Sequence, residues 1–406
     1  MIDVGLGLLF VCLLLVVLAL LLHGAKDLLL PARSITITVN GTMPIAGSAN
    51  RKLLDILNEN GVAIPSACAG AGTCGLCRVE GVTGAGAALP TEQARLSVAD
   101  LRSGARLACQ VVVRNDVSVT VDEAMMDIES IDCRVVSVSA LTPLIREIVL
   151  ALPEGQPFPF KAGGFVQVAA PAYELALSRI DVPDGHRQQW TAMGLDRLVA
   201  RSKAPISRAY SIASRPRDSG LIVLNIRLAT PPPAVPQAPP GVVSSWLFAR
   251  KPGDTVTLSG PYGHFGAQAT DREMIFIGGG VGMAPLRAII FDQVERLATG
   301  RTISFWYGAR SQTELYYRDE LDDLADRHGN FRWTPALSDP VGGDGWQGAT
   351  GFIHDVIYNH YLRDHPAPEA CEYYLCGPPL MIEAVRAMLD DCGVEADSIF
   401  YDDFGI

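Results

Sequence analysis

Ser66-Ala67-Cys68-Ala69-Gly70-Ala71-Gly72-Thr73-Cys74-Gly75-Leu76-Cys77 puts three cysteines into one loop, and a fourth, Cys109, follows in Leu107-Ala108-Cys109-Gln110 after a gap of thirty-one residues. Four thiolates complete the tetrahedra of two irons, and the small residues from Ala69 to Gly72 let backbone N–H groups approach the sulfurs. A structural zinc site also takes four cysteines but normally draws them from two Cys-x-x-Cys pairs. The pattern therefore predicts a [2Fe-2S] cluster on Cys68, Cys74, Cys77 and Cys109. Nine cysteines spread unevenly over 406 residues do not read as a disulfide framework and point to a reducing compartment.

Outward from this loop, Ser34 to Asn40 alternates Ile and Val with Thr, the period of a half-buried strand, and Arg51 to Asn60 carries Leu53, Leu54, Ile56 and Leu57 at helical spacing. An α+β ferredoxin-like (β-grasp) domain is expected over 34–128. Upstream, 4–25 has no Asp, Glu, Lys or Arg, and its fourteen Leu, Val and Phe between Leu6 and Leu22 contribute roughly −4 to −8 kcal/mol towards insertion. The expectation is a transmembrane helix. A cleaved signal peptide is the rival, but Asp3 replaces a basic start and no small-x-small site follows cleanly. Lys26 and Arg33 follow the span, which places the rest of the chain in the cytoplasm. A formal charge of −11 without basic clusters disfavours nucleic acid as a partner.

Short strands read from Val135–Val138, Glu147–Leu150, Phe165–Val168, Leu221–Ile226 and Thr255–Leu258 suggest an antiparallel β-barrel over 129–266. Within it, Gly241-Val242-Val243-Ser244-Ser245 opens an apolar helix whose free N–H groups suit a pyrophosphate, although a plain N-cap explains Ser244 equally well. Residues 173–203 form an insertion without a motif. Over 267–406, Met274 to Ile277 leads into Gly278-Gly279-Gly280-Val281-Gly282 and a helical run from Leu286, followed by further strand-like runs ending at Gly308 and Gly377. Strand, glycine loop and helix predict a doubly wound α/β domain that binds a dinucleotide, with Gly278, Gly279, Gly280 and Gly282 at its pyrophosphate.

Arg208-Ala209-Tyr210-Ser211 resembles the Arg-x-Tyr-Ser motif of the ferredoxin reductase family, whose barrel binds FAD. The resemblance implies that Arg208 pairs with a flavin phosphate, Tyr210 lies against the flavin and Ser211 hydrogen-bonds near its N5. It also implies that Gly241, Ser244 and Ser245 hold the pyrophosphate, that Cys376 before Gly377-Pro378-Pro379 faces the nicotinamide, and that Phe404 covers the flavin. The catalytic set is then Tyr210, Ser211, Cys376 and Phe404.

The order of modules, together with Ser304-Phe305-Trp306-Tyr307-Gly308-Ala309-Arg310, Ala336-Leu337-Ser338-Asp339-Pro340, Tyr361-Leu362-Arg363-Asp364-His365 and Asp402-Asp403-Phe404-Gly405, resembles the family of the F subunit of sodium-translocating NADH:quinone oxidoreductases. His264 departs from that family's usual Glu. The resemblance implies a membrane-bound NADH dehydrogenase in the bacterial inner membrane. NADH gives a hydride to FAD, electrons pass singly to the cluster, and partner membrane subunits reduce ubiquinone and pump sodium. NADH rather than NADPH rests on the resemblance, because Arg310 after a strand suits a 2′-phosphate as well. The same modules serve oxygenase reductase components, which the amino-terminal span disfavours. A non-catalytic electron carrier or assembly subunit is disfavoured by the intact nucleotide motifs. Residues from Glu123 to Ser130 are expected to link the cluster domain to the barrel.

Overall fold

The computed structural model describes residues 13–14, 17–18, 33–68, 70–122, 125–126, 130–215, 218, 220–232, 235–343 and 345–403. Most of the expected span at 4–25, most of the expected linker, and Phe404 lie outside them. Among the described residues no helix is long and apolar enough to cross a membrane. The chain divides into two compact units, residues 1–64 with 70–128, and residues 65–69 with 129–406.

In the first unit, Ser34–Val39 alternates exposed and buried side chains, so Ile35, Ile37 and Val39 enter the core. It pairs antiparallel with Met43–Ser48 and parallel with Val117–Thr120, and Arg78–Thr83 and Arg106–Leu107 complete a five-stranded sheet. The helix Leu53–Glu59 buries Leu53, Leu54, Ile56 and Leu57 in the same core. It begins two residues later than its periodicity predicts, because Arg51 and Lys52 are extended and pair with Val113 and Val112.

In the second unit, six antiparallel strands run in the order Ile206–Ser211, Phe165–Ala170, Thr255–Tyr262, Ser130–Thr142, Ile145–Ala151, Leu221–Arg227. A bridge between Ile212 and Leu224 joins the two ends and closes the barrel. The insertion folds as a ribbon, Tyr173–Ala176 against Val199–Ser202, carrying the helix Asp184–Ala192. It buries Leu177, Ile180, Trp190 and Leu195 in the barrel's own core.

Six parallel strands follow, in the order Ala349–Thr350, Phe331–Leu337, Ile303–Ala309, Met274–Gly279, Glu372–Gly377, Ile399–Asp403. Met274–Gly279 is buried throughout, as a parallel strand covered on both faces must be. Met274 and Phe276 pack with the helix Met283–Phe291 on one face, and Ile275 and Ile277 with Ile353–His360 and Pro379–Asp391 on the other. The chain moves from Met274–Gly279 towards one edge and then returns to lay Glu372–Gly377 on its other side. The topological switch point therefore lies between these two strands, and the crevice at their carboxyl ends is where such sheets bind ligands.

At the opposite end of the sheet the Glu372 carboxylate is wholly buried. It accepts hydrogen bonds from Thr270 Oγ1 (2.7 Å) and Tyr374 Oη (2.7 Å) and pairs with Arg272 (3.0 Å) and Arg301 (2.5 Å). Burial alone would push the Glu372 carboxyl up, but the bonds from Tyr374, Thr270 and Arg301 outweigh it and hold it below its usual 4.5. Because the folded-state value is depressed, this stabilisation is present above pH 4.5 and is lost as pH falls through the lower folded value. Glu372→Ala leaves Arg301 buried without its carboxylate and is expected to destabilise the nucleotide-binding sheet by about 3–5 kcal/mol. Urea unfolding followed by tryptophan fluorescence measures it, and a loss below about 1 kcal/mol would place Glu372 outside the stabilising network.

Candidate active site

Met274–Gly279 delivers its glycines to the switch point. Gly280 sits at φ +56°, where a side chain is strained, and its carbonyl accepts hydrogen bonds from Tyr307 Oη (3.0 Å) and Tyr316 Oη (2.8 Å). Gly282 lies so close to the neighbouring strand that a Cβ would fall 1.9 Å from the Cys376 carbonyl oxygen. The glycine loop and the strand end bearing Cys376 therefore touch through backbone alone. Cys376 is fully buried, and it is the register partner of both Gly278 and Asp402.

Asp402 connects this crevice to the barrel. Ser211, at the end of Ile206–Ser211 and 7% exposed, donates its hydroxyl to Asp402 Oδ2 at 3.3 Å. A barrel serine thus bonds the carboxylate of a residue whose backbone is paired with that of the sheet cysteine. Asp402 had no role in the sequence-based expectations, since nothing local marks it apart from a solvent-facing acid.

The join itself is made by Arg287, the one charged residue in the otherwise apolar helix Met283–Phe291. Its guanidinium donates to Ala213 O (2.6 Å), pairs with Glu320 (2.6 Å) and lies 4.5 Å from the Tyr317 ring centroid. The Tyr317 hydroxyl in turn bonds Glu147 and accepts from Asn225 Nδ2 at 2.8 Å, both on barrel strands. Sequence reasoning missed Arg287, although a lone cation inside an apolar helix was its signal.

Elsewhere on the barrel, Arg208 and Tyr210 share the strand that carries Ser211, and the helix Val242–Phe248 packs beside it. Gly241 has no room for a side chain, because a Cβ would meet Ala229 Cβ and Ser244 Oγ at 2.6 Å. Ser244 Oγ donates to Gly241 O and accepts from Ala229 N, both at 3.2 Å, which caps the turn. Ser245 Oγ is fully buried and has no partner among the described residues, so the start of this helix has polar capacity to spare for an anionic group. The insertion braces the helix from behind: Tyr173 donates to Val242 O, and Trp190 stacks on Phe248 at 6.3 Å. Burial pushes the Tyr173 phenol up to about 12 and raises that of Tyr210 further, so both remain neutral hydrogen donors. His264 is exposed.

In the first unit, Cys77 and Cys109 are fully buried and Cys74 is half-buried; Cys68, in the short segment 65–69 assigned to the second unit, is also half-buried. Gly70, Gly72 and Gly75 all take positive φ, which folds the loop tightly. Lys52 Nζ (3.1 Å) and Gln110 Nε2 (2.9 Å) both donate to Gly70 O, and Gln110 Nε2 also lies 3.3 Å from Cys109 Sγ as a donor. The strand that leads to Cys109 is held by the buried Arg106–Glu92 pair (2.8 Å), with Leu107 N also donating to Glu92 at 3.0 Å. Neither Gln110 nor Glu92 was singled out from the sequence, because their partners lie far along the chain.

Residues 37–114 match the family described as 2Fe-2S iron-sulfur cluster binding domain, 194–266 the oxidoreductase FAD-binding domain, and 276–387 the oxidoreductase NAD-binding domain. The chain is 47% identical over 403 residues to the F subunit of the Na(+)-translocating NADH-quinone reductase of Neisseria meningitidis serogroup C, covering 99% of this chain and 100% of that one. The corresponding F subunit in Klebsiella pneumoniae is 47% identical over 405 residues with the same coverage. Among solved structures, a ferredoxin reductase in carbazole 1,9a-dioxygenase is 26% identical with a TM-score of 0.59 over 92% of this chain and 98% of that one. An Amycolatopsis cytochrome P450 reductase is 26% identical with a TM-score of 0.62 over 91% and 98%.

Gly282→Ala forces the glycine loop away from the strand end that bears Cys376. A displacement of this size is expected to slow flavin reduction by NADH by about a hundredfold, while the cluster spectrum is unchanged. Stopped-flow absorbance at saturating NADH measures it, and a wild-type rate would show that the close approach does not position the site.

Proposed function

The chain belongs to the family of the F subunit of the Na(+)-translocating NADH-quinone reductase, and from that premise we propose that it is the electron-input subunit of such a complex, taking electrons from NADH. When bound, FAD supplies the change from a two-electron hydride to single electrons, and the [2Fe-2S] cluster supplies a one-electron carrier. The observation that carries this reading is the hydrogen bond from Ser211 of the barrel to Asp402, whose strand pairs with the one bearing Cys376 next to the switch point of the sheet.

The chain's own contribution is positioning and the exclusion of water. Gly278, Gly279, Gly280 and Gly282 offer backbone to the NADH pyrophosphate at the start of the helix Met283–Phe291. Cys376 and Ser211 are both buried, which helps to keep water from the crevice where the nicotinamide would meet the barrel. Hydride transfer needs stacked rings held close more than it needs an acid or base. On the barrel, Arg208 and the start of Val242–Phe248, with the unpartnered Ser245 hydroxyl, form the proposed seat of the FAD phosphates, and Tyr210 lines the flavin. Phe404 belongs to the same proposal as the flavin's cover. The proposed ligands of the two irons are Cys68, Cys74, Cys77 and Cys109, where the Gln110 amide at Cys109 Sγ stabilises negative charge on sulfur.

An anchor at 4–25 completes the proposal. Leu13, Leu14, Val17 and Leu18 are helical and expose between 46% and 63% of their apolar surface, which suits contact with lipid. One helix encloses no ion path, so quinone reduction and sodium transport fall to other subunits of a bacterial inner-membrane complex, with the soluble modules in the cytoplasm.

Anaerobic stopped-flow mixing of the full-length, cofactor-loaded chain with NADH tests the order of events. Flavin bleaching is expected first and reduction of the cluster second. Cys74→Ala is expected to retain the first phase and to lose the second. Absence of flavin bleaching in a fully loaded protein would overturn the dehydrogenase reading.

A further inference from the structure

The run Tyr361-Leu362-Arg363-Asp364-His365 takes no part in the chemistry above, yet it brings a histidine to two other ligating side chains. His365 Nε2 lies 3.3 Å from Glu273 Oε2 and 3.9 Å from Cys371 Sγ, and the three ligand atoms all fall within 4.8 Å of one another. Cys371 is 2% exposed, and the side chains of His365 and Glu273 are 12% and 18% exposed. We propose that Glu273, His365 and Cys371 form a binding site for a zinc-class divalent cation at the amino-terminal end of the nucleotide-binding sheet.

The geometry separates a metal site from a nucleophilic triad. In a triad the thiol and the carboxylate use opposite ring nitrogens of the histidine. Here both approach Nε2, while Nδ1 faces the Ala367 N–H at 3.2 Å. Three donors that converge on one point are what a cation requires. With metal–ligand lengths of about 2.0 Å to nitrogen or oxygen and about 2.3 Å to sulfur, the edges of a tetrahedral site are about 3.3–3.7 Å. The edge from Glu273 to His365 already fits, the edge from His365 to Cys371 is slightly long, and the third closes by up to about 1.3 Å.

The donors are also held from behind, as metal ligands usually are. Tyr361 Oη bonds the other Glu273 oxygen, the Tyr361 ring packs 5.3 Å from the His365 ring, and Cys371 Sγ donates to Ala367 O at 3.7 Å. Glu273 and Cys371 directly precede the paired strands Met274–Gly279 and Glu372–Gly377, and Glu372 N donates to Glu273 O at 2.8 Å. The backbone thus presets their separation. One thiolate, one imidazole and one carboxylate select a borderline-soft ion over magnesium or calcium, and water takes the fourth position. Binding releases the thiol proton to solvent and moves the imidazole proton from Nε2 to Nδ1, at the cost of the bonds from Ala367 N to Nδ1, from Cys371 Sγ to Ala367 O and between Nε2 and Glu273. Thiolate and carboxylate then balance the dication. Because Gly278 and Cys376 lie at the other end of the same strands, the ion clamps the base of the sheet and does not touch the reacting groups.

The full-length, FAD- and cluster-loaded chain is stripped with a mild chelator, titrated with Zn2+ against a chromophoric competitor, and examined by zinc K-edge X-ray absorption. One zinc per chain is expected, with a single sulfur at about 2.3 Å among nitrogen and oxygen neighbours at about 2.0 Å. Cys371→Ser and His365→Gln are expected to weaken binding at least tenfold, and Cys371→Ser to remove the sulfur. A four-sulfur environment, which reports the cluster cysteines, no uptake, or unchanged affinity in both variants would overturn the proposal. The spectrum of the unaltered chain decides the matter even where a variant fails to fold.

Discussion

The buried guanidinium of Arg287 ties the barrel to the nucleotide-binding domain, and the geometry of the site depends on it. Burying a cation costs several kcal/mol unless its hydrogen bonds are met, and both hydrogen-bonding partners of Arg287 lie outside its own helix. Glu320 sits in the first turn of the helix Arg318–Arg327, Tyr317 at the start of that helix supplies a ring face, and Ala213 supplies a carbonyl two residues beyond Ser211. The bond to Ala213 therefore fixes where the barrel strand ends. That end is what brings the Ser211 hydroxyl to Asp402, and Asp402 is aligned with Cys376 by the pairing of the last two strands.

Around this join, close packing replaces flexible side chains wherever a ligand must approach. Gly282 against the Cys376 carbonyl and Gly241 against Ala229 are both positions where a methyl group has no space. The insertion at 173–203, which carries no motif, proves to be part of the barrel's core and a brace behind the helix Val242–Phe248. Trp190 and Tyr173 act on the site only by holding that helix in place.

The two ends of the parallel sheet are built differently. The carboxyl end is glycine-rich, and there Gly282 meets the strand end that bears Cys376 backbone to backbone. The amino end is dense with charge, where Glu372 gathers Arg272, Arg301, Tyr374 and Thr270, and Glu273, His365 and Cys371 meet beside it. A sheet whose functional end must remain open takes its rigidity from the other end.

Periodicity and spacing alone determined the elements that repeat locally. The alternation of Ser34–Val39, the continuous apolar run into Gly278 and the helix face of Leu53, Leu54, Ile56 and Leu57 could be read directly, because side-chain period and backbone geometry are coupled within a few residues. The three cysteines of one loop and the glycine loop between strand and helix were legible for a related reason, since each gathers its groups within a few residues of chain. Tertiary structure alone decided which residues share a site. Ser211 and Asp402 are 191 residues apart, Arg287 and Ala213 are 74 apart, and His365 and Glu273 are 92 apart. No local pattern encodes such pairs, since each depends on the register of strands and the closure of a barrel, which hydrophobic burial settles only once the whole chain has folded.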